Sequence, residues 1–241
     1  MGRAKEIIVK VINSKVANAF VKKNHYSGKV VQNSSLHFGC FLDDKLHGVM
    51  SYGGPLDKRK VLPMVEGTGW NEMLELNRMA FDDYLPKYSE SRCIAISIRL
   101  IKKNAPQIKW VLSFADGTQC GDGTIYRASG FKLTSIKNNN SLLVFPSGDV
   151  LAAMTIEANF TLPIIKKQSL FLGLNHKYRT RTEWIKLGAK KLQGNQLRYI
   201  YLIDKTYKIT VPILPFSEID KQGAGMYKGK KVTLQERRAK D

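Results

Sequence analysis

The sequence predicts an α/β protein: a mixed sheet with helices on both faces, followed by a basic C-terminal extension. Over the first 150 residues, segments rich in β-branched or alternating apolar residues are interleaved with segments of helical periodicity. After residue 150 this pattern loosens, while lysine and arginine become denser. Strands interleaved with helices are typical of layered α/β proteins, in which helices cover a sheet.

The composition limits the possible classes. The chain has 241 residues, of which 43% are hydrophobic, and 39 Lys and Arg against 20 Asp and Glu give a net charge of +19. The apolar content supports a packed core and excludes wholesale disorder. No apolar run approaches the ~18 residues of a membrane span, and the start lacks a secretory signal pattern. We therefore expect a cytoplasmic protein whose partner is a polyanion, with nucleic acid ahead of a membrane surface.

The N-terminal elements are a strand, a helix and a hairpin. Residues 5–12 are rich in β-branched side chains, which favours a strand. Residues 14–23 carry apolar side chains at helical spacing and start with Ser14, which predicts a short capped helix. Leu36–Leu42 and Leu46–Tyr52 are apolar strands joined by a tight polar turn, so they should pair as an antiparallel hairpin.

The middle of the chain continues with strand, helix, strand and short helix. Residues 72–81 alternate apolar and polar side chains, and a helix with isoleucines on one face follows from Ser89. A buried strand then ends at Asp116, and a glycine-rich loop leads into a short helix at 124–128. A further strand pair that ends at Phe145 completes the predicted sheet.

The remaining residues form the predicted extension. Residues 1–150 have a net charge of +8, whereas residues 151–241 have +11 although they are fewer. Residues 197–203 and 208–214 predict two strands, and prolines place the second at a sheet edge. The polar tail from about residue 223 is expected to be flexible. We therefore predict a catalytic domain over the first range and a basic β-containing extension, packed on it, over the second.

Three features together resemble the GCN5-related acetyltransferase fold. They are the hairpin, an E-L-x-R motif that begins at Glu75, and a Y-x-x-x-G-F motif that begins at Tyr126. A finer resemblance is to the Mom family of phage DNA-modification proteins, an offshoot of that fold. It is carried by H-Y-S-G from His25, E-L-N-R from Glu75, E-S-R from Glu90, S-F-A-D from Ser113, I-Y-R-A from Ile125, L-R-Y-I-Y from Leu197 and V-P-I-L-P from Val211.

The resemblance implies an activity. Proteins of the Mom family add a carbamoylmethyl group to N6 of adenine in phage DNA, which blocks host restriction enzymes. The chain departs from ordinary acetyltransferases at one point, because no glycine lies between Arg78 and Arg92. Those enzymes carry there a glycine-rich loop whose N–H groups hold the pyrophosphate of coenzyme A. An acetyl unit also lacks the nitrogen of the final group, so two donors stay open: acetyl-CoA, or a glycyl donor such as glycyl-tRNA.

The same resemblance implies roles for individual residues. His25, Tyr26 and Asp116 form a possible iron site, since imidazole, phenolate and carboxylate groups can bind iron. Asp116 also ends a strand, where catalytic groups of open α/β sheets gather, and it could accept a proton from adenine N6. Tyr126 is the candidate general acid, and Tyr26 is a further catalytic candidate. The structural alternatives are helix capping for Asp116 and aromatic packing for Tyr126.

Donor binding and DNA binding have separate candidates. Arg78 could hold a donor phosphate through its bidentate fork, and Ser91 and Arg92 could replace the missing glycine-rich loop. An adenine inside a duplex can present N6 to an enzyme only when the nucleotide is flipped out. Basic side chains that would neutralise phosphates are Lys177, Arg179, Arg181, Lys190 and Lys191.

Two other functions remain open from the sequence. One is a DNA-binding protein on an acetyltransferase-like fold without catalysis. The other is an acyltransferase that acts on RNA or on a small amine. Formation of a new adenine adduct in DNA would distinguish the DNA-modifying enzyme from both of these alternatives.

Overall fold

The structure, a computed structural model, describes residues 2–139, 141–227, 229–233 and 235–236. Its strands are β1 (Ile8–Val11), β2 (Ser34–Leu42), β3 (Lys45–Gly53), β4 (Met73–Phe81), β5 (Trp110–Gly117), β6 (Lys132–Asn138), β7 (Leu142–Val144), β8 (Val150–Ala152), β9 (Lys190–Lys191), β10 (Asn195–Leu202), β11 (Met226–Tyr227) and β12 (Lys230–Lys231). Its α-helices are α1 (Ser14–Asn24), α2 (Lys58–Val61), α3 (Ser89–Asn104), α4 (Thr124–Ala128), α5 (Ala153–Ala158), α6 (Pro163–Phe171), α7 (Arg181–Lys186) and α8 (Ser217–Lys221). Within these described ranges, none of the helices has the length and apolar character that crossing a membrane requires.

The larger sheet confirms the predicted mixed α/β class. Its seven strands follow the order β1-β2-β3-β4-β5-β10-β6. The first four strands are antiparallel neighbours, whereas β4 and β5 run parallel. The predicted hairpin is β2–β3, and its turn residues Asp43 and Asp44 have φ angles of 49° and 58°. Two consecutive positive φ angles are typical of the turn that matches the twist of paired strands.

Helices cover both faces of this sheet, as the sequence predicts. Val49 of β3 packs with Ala17 and Val21 of α1 in one buried cluster. The next residue along the strand, Met50, belongs to another cluster that contains Ile94 of α3. Because neighbouring side chains on a strand point to opposite faces, α1 and α3 lie on opposite sides of the sheet.

β4 and β5 separate near the middle of the sheet. They pair only over Met73–Leu76 against Trp110–Ser113, although β4 continues to Phe81 and β5 to Gly117. The register between β3 and β4 also shifts at Asn77, where β4 contains one additional residue. Such bulges bend a strand and re-aim its side chains. The separation leaves an opening between two strands that would otherwise be sealed by hydrogen bonds.

One of the two strands predicted after residue 150 is present, and the other is not. Residues 197–203 correspond to β10, which lies between β5 and β6 in the larger sheet. The strand predicted over residues 208–214 is wrong, because in this fully described segment only Ile209 forms a bridge, to Val65. The prolines that suggested an edge position lack the N–H groups that a continuous ladder needs.

The chain divides into two compact units by its own contacts. The first unit joins Met1–Ile136 with Gln196–Asp241, and the second is Lys137–Asn195. In chain order the second unit is inserted between β6 and β10, which are neighbours in the larger sheet. This division differs from the boundary at residue 150 because β10 belongs to the larger sheet. The assignment of catalysis to residues 1–150 stays a prediction.

The second unit has a core of its own. Its small sheet has the order β8-β7-β9, so β7 pairs with β8 and β9. Trp184 is fully buried and packs edge-to-face on Phe145 with ring centroids 5.1 Å apart. Helix α7 begins with a capping box, in which Thr180 and Glu183 each bond the other's backbone N–H. The unit carries nine basic and three acidic residues, so it is basic in its own right, although its bounds are not those of the predicted extension.

Candidate active site

A cleft of 340 Å³ opens where β4 and β5 separate. Its walls come from both strands, from the end of α1, from α4, from the loop after β5 and from the hairpin β11–β12. The side chains named as catalytic or metal-binding candidates, together with one donor-binding candidate, all line it: His25, Tyr26, Arg78, Asp116 and Tyr126. The topology of the sheet therefore brings together residues that lie up to about a hundred positions apart in the sequence.

Tyr26 and Asp116 form a hydrogen-bonded pair in this cleft. The Tyr26 hydroxyl donates to Asp116 Oδ2 over 2.9 Å. The other carboxylate oxygen accepts the backbone N–H groups of Thr118 and Gln119 over 2.9 and 3.3 Å, which fixes it at the end of β5. Burial and the neighbouring carboxylate raise the pKa of Tyr26 well above its ordinary value. Tyr26 is thus a protonated donor, and Asp116 is an acceptor that faces the cleft.

His25 lies beside this pair as a neutral side chain. It follows the last residue of α1, and its ring centroid is 4.2 Å from that of Tyr26. Burial lowers the pKa of His25 to about 4, and the charge of Arg78 acts in the same direction. Its Nδ1 lies 3.1 Å from the backbone N–H of Ser27 and 2.8 Å from the hydroxyl of that residue. A backbone N–H can only donate, so Nδ1 accepts and the ring proton sits on Nε2.

This hydrogen bonding does not fit the iron site that the resemblance implies. A metal needs an unprotonated imidazole nitrogen, yet Nδ1 of His25 is taken by Ser27 and Nε2 carries the proton. A phenolate ligand would also have to lose the proton that Tyr26 donates to Asp116. Among the described residues, no three His, Cys, Asp or Glu side chains are grouped for a metal ion. Metal binding by these three residues stays a prediction, and no step below depends on it.

Arg78 is held rigidly on β4 at the cleft wall. Its Nε donates to the carbonyl of Lys29 and its Nη1 to the carbonyl of Asn77, both over 3.0 Å. These bonds fix the plane of the guanidinium where an anionic group in the cleft would meet it. The same strand carries Glu75, to which the sequence analysis assigned no role. Burial raises the pKa of Glu75 to about 7, against the opposing charge of Arg78.

Tyr126 approaches the cleft from α4. Only 6% of its surface is exposed, and its ring packs on Phe131 and Tyr199 with centroids 5.5 and 5.3 Å away. Burial raises the pKa of Tyr126 to about 12, while a hydrogen bond with Ser113 lowers it in part. Tyr126 therefore keeps its proton at neutral pH and presents a buried hydroxyl donor. The structure is compatible with both roles considered for this tyrosine, because its ring is packed in the core and the residue also lines the cleft.

Ser91 and Arg92 do not line the cleft, although Glu90 beside them does. The Ser91 hydroxyl donates to the carbonyl of Tyr88 over 3.3 Å, and Arg92 reaches the carbonyl of Lys5 over 3.3 Å. Both contacts hold the start of α3 in place. The role of these two residues in holding a donor stays a prediction.

Two residues of the loop after β5 contribute more than the sequence indicated. Cys120 lines the cleft, where partial desolvation by the surrounding protein atoms and the charge of Asp116 raise the pKa of its thiol. Asp122 is 1% exposed and accepts the backbone N–H of Met226 over 3.1 Å. A carboxylate in a glycine-rich loop could have been flagged as an anchor, but nothing in the sequence identified its partner 104 positions later.

The candidates for DNA binding in the second unit differ in exposure. Lys177, Lys190 and Lys191 are exposed. Arg179 is only 6% exposed, and its guanidinium bonds Ser169 and the carbonyl of Asn175 and lies over the Trp184 ring. Arg179 is therefore a packing residue of this unit in the structure. Arg181 is half-buried at the start of α7.

Comparison with known proteins identifies the family. Residues 6–218 match the sequence model of the Mom protein family. The chain belongs to the Mom protein family. The methylcarbamoylase Mom of Escherichia phage Mu is 38% identical to it over 132 residues, which is 53% of this chain and 53% of that protein. The aligned part thus spans about half the length of this curated relative.

Solved acetyltransferases resemble this Mom-family chain at low sequence identity. A Bacillus subtilis acetyltransferase in complex with CoA matches with a TM-score of 0.44 and 9% identity, covering 81% of this chain and 98% of its own. A GNAT family acetyltransferase from Elizabethkingia anophelis with acetyl-CoA bound matches with a TM-score of 0.43 and 12% identity, covering 81% and 97%. The Mom family and the fold class expected from the sequence are both confirmed.

Proposed function

We propose that this Mom-family protein is a transferase that adds a carbamoylmethyl group to N6 of adenine in phage DNA within the host cytoplasm and so protects that DNA from restriction. The proposal rests on the family and on the name methylcarbamoylase of the phage Mu relative. The structural observation that carries it is the Tyr26–Asp116 pair, whose carboxylate faces a cleft beside a fixed guanidinium.

Asp116 would act on the nucleophile. The exocyclic amine of adenine is a weak nucleophile because its lone pair is delocalised into the ring. A carboxylate that accepts one of its hydrogens makes attack easier and removes the proton as the new bond forms. Tyr26 and two backbone N–H groups hold this carboxylate in one orientation. Such preorganisation is what a positioned base needs.

Tyr126 and Arg78 would act on the donor. Tyr126, with a pKa of about 12, is a hydrogen-bond donor toward a leaving group rather than a strong acid. If the leaving group is a thiolate, the proton stays mostly on the phenol, because an ordinary thiol, with a pKa of about 8.5, is the stronger acid of the two. The guanidinium of Arg78 would stabilise negative charge on the acyl oxygen or on a phosphate of the donor.

We propose an acyl-CoA as the donor of the carbon atoms, so that adenine N6 attacks the thioester carbonyl and CoA leaves as the thiol. An acetyl unit lacks the amide nitrogen of a carbamoylmethyl group, so this route needs a separate nitrogen donor and a later rearrangement. A glycyl donor already carries that nitrogen, needs only the rearrangement, and is the alternative outcome of the test. The support for an acyl-CoA is the opening between parallel strands, which admits an extended thioester arm next to Tyr126. Titration of the purified protein with acetyl-CoA and, separately, with glycyl-tRNA would measure the affinity of each. Binding of glycyl-tRNA alone would overturn the choice of donor without affecting the reaction on adenine.

The decisive experiment is mass spectrometry of nucleosides from the DNA of cells that express the protein. We expect an adenine adduct with the mass of a carbamoylmethyl group in cells with the wild-type chain. Cells that express the Asp116→Asn variant at an equal level are the control and should show almost none. Unmodified DNA together with tight DNA binding would instead support a non-catalytic DNA-binding protein, a function that the excess of basic residues in the second unit favours. An adduct on RNA or on a small amine would support the other transferase reading.

A further inference from the structure

The C-terminal hairpin is a part of the cleft for which the sequence predicted only a flexible tail. It consists of β11 and β12, which pair Met226 with Lys231 and Tyr227 with Lys230. The segment lies beyond residues 6–218, the part of the chain that matches the family model. Met226 and Tyr227 nevertheless line the cleft together with Tyr26 and Asp116.

Hydrogen bonds fasten this hairpin to the loop after β5. The buried carboxylate of Asp122 accepts the N–H of Met226 over 3.1 Å, and the carbonyl of Cys120 accepts the N–H of Gly229 over 2.7 Å. Gly229 has a φ of +77°, and a Cβ at this position would lie 2.9 Å from the carbonyl oxygen of Gln119. Both the backbone conformation and the close approach therefore require glycine. The hairpin is a built wall of the cleft.

Tyr227 presents its side chain on the open side of this wall. Met226 is 5% exposed and anchors the hairpin, whereas Tyr227 is 54% exposed, as expected for neighbours that point to opposite faces of a strand. The cross-strand partner of Tyr227 is the exposed Lys230. An aromatic ring offers a stacking surface to any base, and a nearby ammonium group can neutralise a phosphate.

We propose that Tyr227 is a substrate-binding residue whose ring stacks on the adenine presented to Asp116, while Lys230 contacts an adjacent phosphate. The proposal rests on the proposed function, because it names adenine as the base. Ligand pockets range from about 300 to 1,000 Å³, so a cleft of 340 Å³ suits one base and a small acyl group. Asp122, which fastens Met226, is then a positioning residue for the base as well as for the loop.

Binding of short single-stranded DNA to the full chain tests this role. The probes are a fluorescent oligothymidine with one central adenine and the same oligonucleotide with an abasic site in its place. Single strands avoid the cost of flipping, so the ratio of the two affinities reports the contact with the base. Stacking on one aromatic ring predicts a ratio of roughly 5- to 150-fold for the wild type.

The variants separate the ring from the hydroxyl and from the charge. Tyr227→Ala should reduce the ratio to nearly one, and Tyr227→Phe should preserve it because the ring remains. Lys230→Ala should weaken both probes equally and reduce the salt dependence of binding by about one counterion. A thermal melt that matches the wild type shows that each variant is folded.

Three results would overturn the inference: a wild-type ratio of one, an unchanged ratio in Tyr227→Ala, or an equal loss in Tyr227→Phe. Adduct formation by the wild type is measured in parallel. An adduct with an unchanged ratio in Tyr227→Ala would refute the stacking role and leave the function standing. A clear base preference without any adduct would refute the function and leave the stacking role standing.

Discussion

Replacement of Asp116 by asparagine is the sharpest test of the proposed chemistry. The asparagine has the same size, and its single oxygen can still accept the backbone N–H of Thr118, which lies 2.9 Å away in the wild type. The amide nitrogen that replaces Oδ2 can no longer accept the hydroxyl of Tyr26. The change therefore removes the base and its charge while it preserves most of the local fold.

The structural cost of this change should be small and its catalytic cost large. A hydrogen bond to a charged group is worth about 1.5–3 kcal/mol and one to a neutral group about 1 kcal/mol, so the variant should lose about 1 kcal/mol of stability. In a chain of this size that lowers the melting temperature by about 2–4 °C. A positioned general base contributes about 10²–10⁴-fold to a rate, and we expect a loss of adduct formation in that range.

The assay is single-turnover adduct formation on an adenine-containing oligonucleotide, followed by mass spectrometry of the nucleosides. Tyr26→Phe is the matched comparison, because it keeps the carboxylate and removes only the hydrogen bond that orients it. Its loss should be roughly ten- to a hundredfold, the equivalent of the ~1.5–3 kcal/mol of a hydrogen bond to a charged group. A folded Asp116→Asn protein that reacts within about threefold of the wild-type rate would refute the role of this carboxylate as base.

Three further predictions follow from the described contacts. Tyr126→Phe should lower the adduct rate by at least about tenfold and the melting temperature by only about 2–4 °C, the cost of its hydrogen bond with Ser113, and a full rate would exclude the hydroxyl as donor. The depressed pKa of His25 predicts that stability is fully present above pH ~6.5 and is lost as the pH falls to about 4, by at most ~3 kcal/mol. His25→Gln should therefore flatten this part of a plot of melting temperature against pH, and an unaltered slope would contradict the prediction. Arg179→Ala should destabilise the protein by about 2–3 kcal/mol in a denaturant titration, since it leaves Ser169 and Asn175 without their buried partner. Lys190→Ala should instead leave the stability unchanged and lower both the DNA affinity and its salt dependence. Equal effects of the two substitutions on stability would refute this distinction.

The sequence was most informative where a local pattern decides the structure. The alternation of apolar residues located the hairpin β2–β3, and its polar turn fell where two residues adopt positive φ angles. The end of a buried strand located Asp116, because side chains at that position face the opening of an α/β sheet. Resemblance of short motifs then added His25, Tyr26 and Tyr126, and all of these residues line one cleft.

Contacts between segments that lie far apart in the sequence could not be predicted from these local patterns. The bond between Asp122 and Met226 links positions 104 residues apart, and polar composition alone made the last segment look like a solvated tail. Arg179 looked like its basic neighbours, yet tertiary packing buries it against Trp184. The density of charge in a sequence does not show which guanidinium faces solvent and which holds a core together.

The place of the second unit in the chain makes the protein modular. Its two ends meet, because the backbone N–H of Asn139 donates to the carbonyl of Gly194 over 2.9 Å. A turn of a few residues could therefore replace everything between them without a change in the register of β6 and β10. The larger sheet requires only that these two ends lie close together, so the length of the folded insert between them matters little to it. Every residue that lines the cleft belongs to the first unit, so a change in the length or sequence of this insert leaves the lining of the cleft in place.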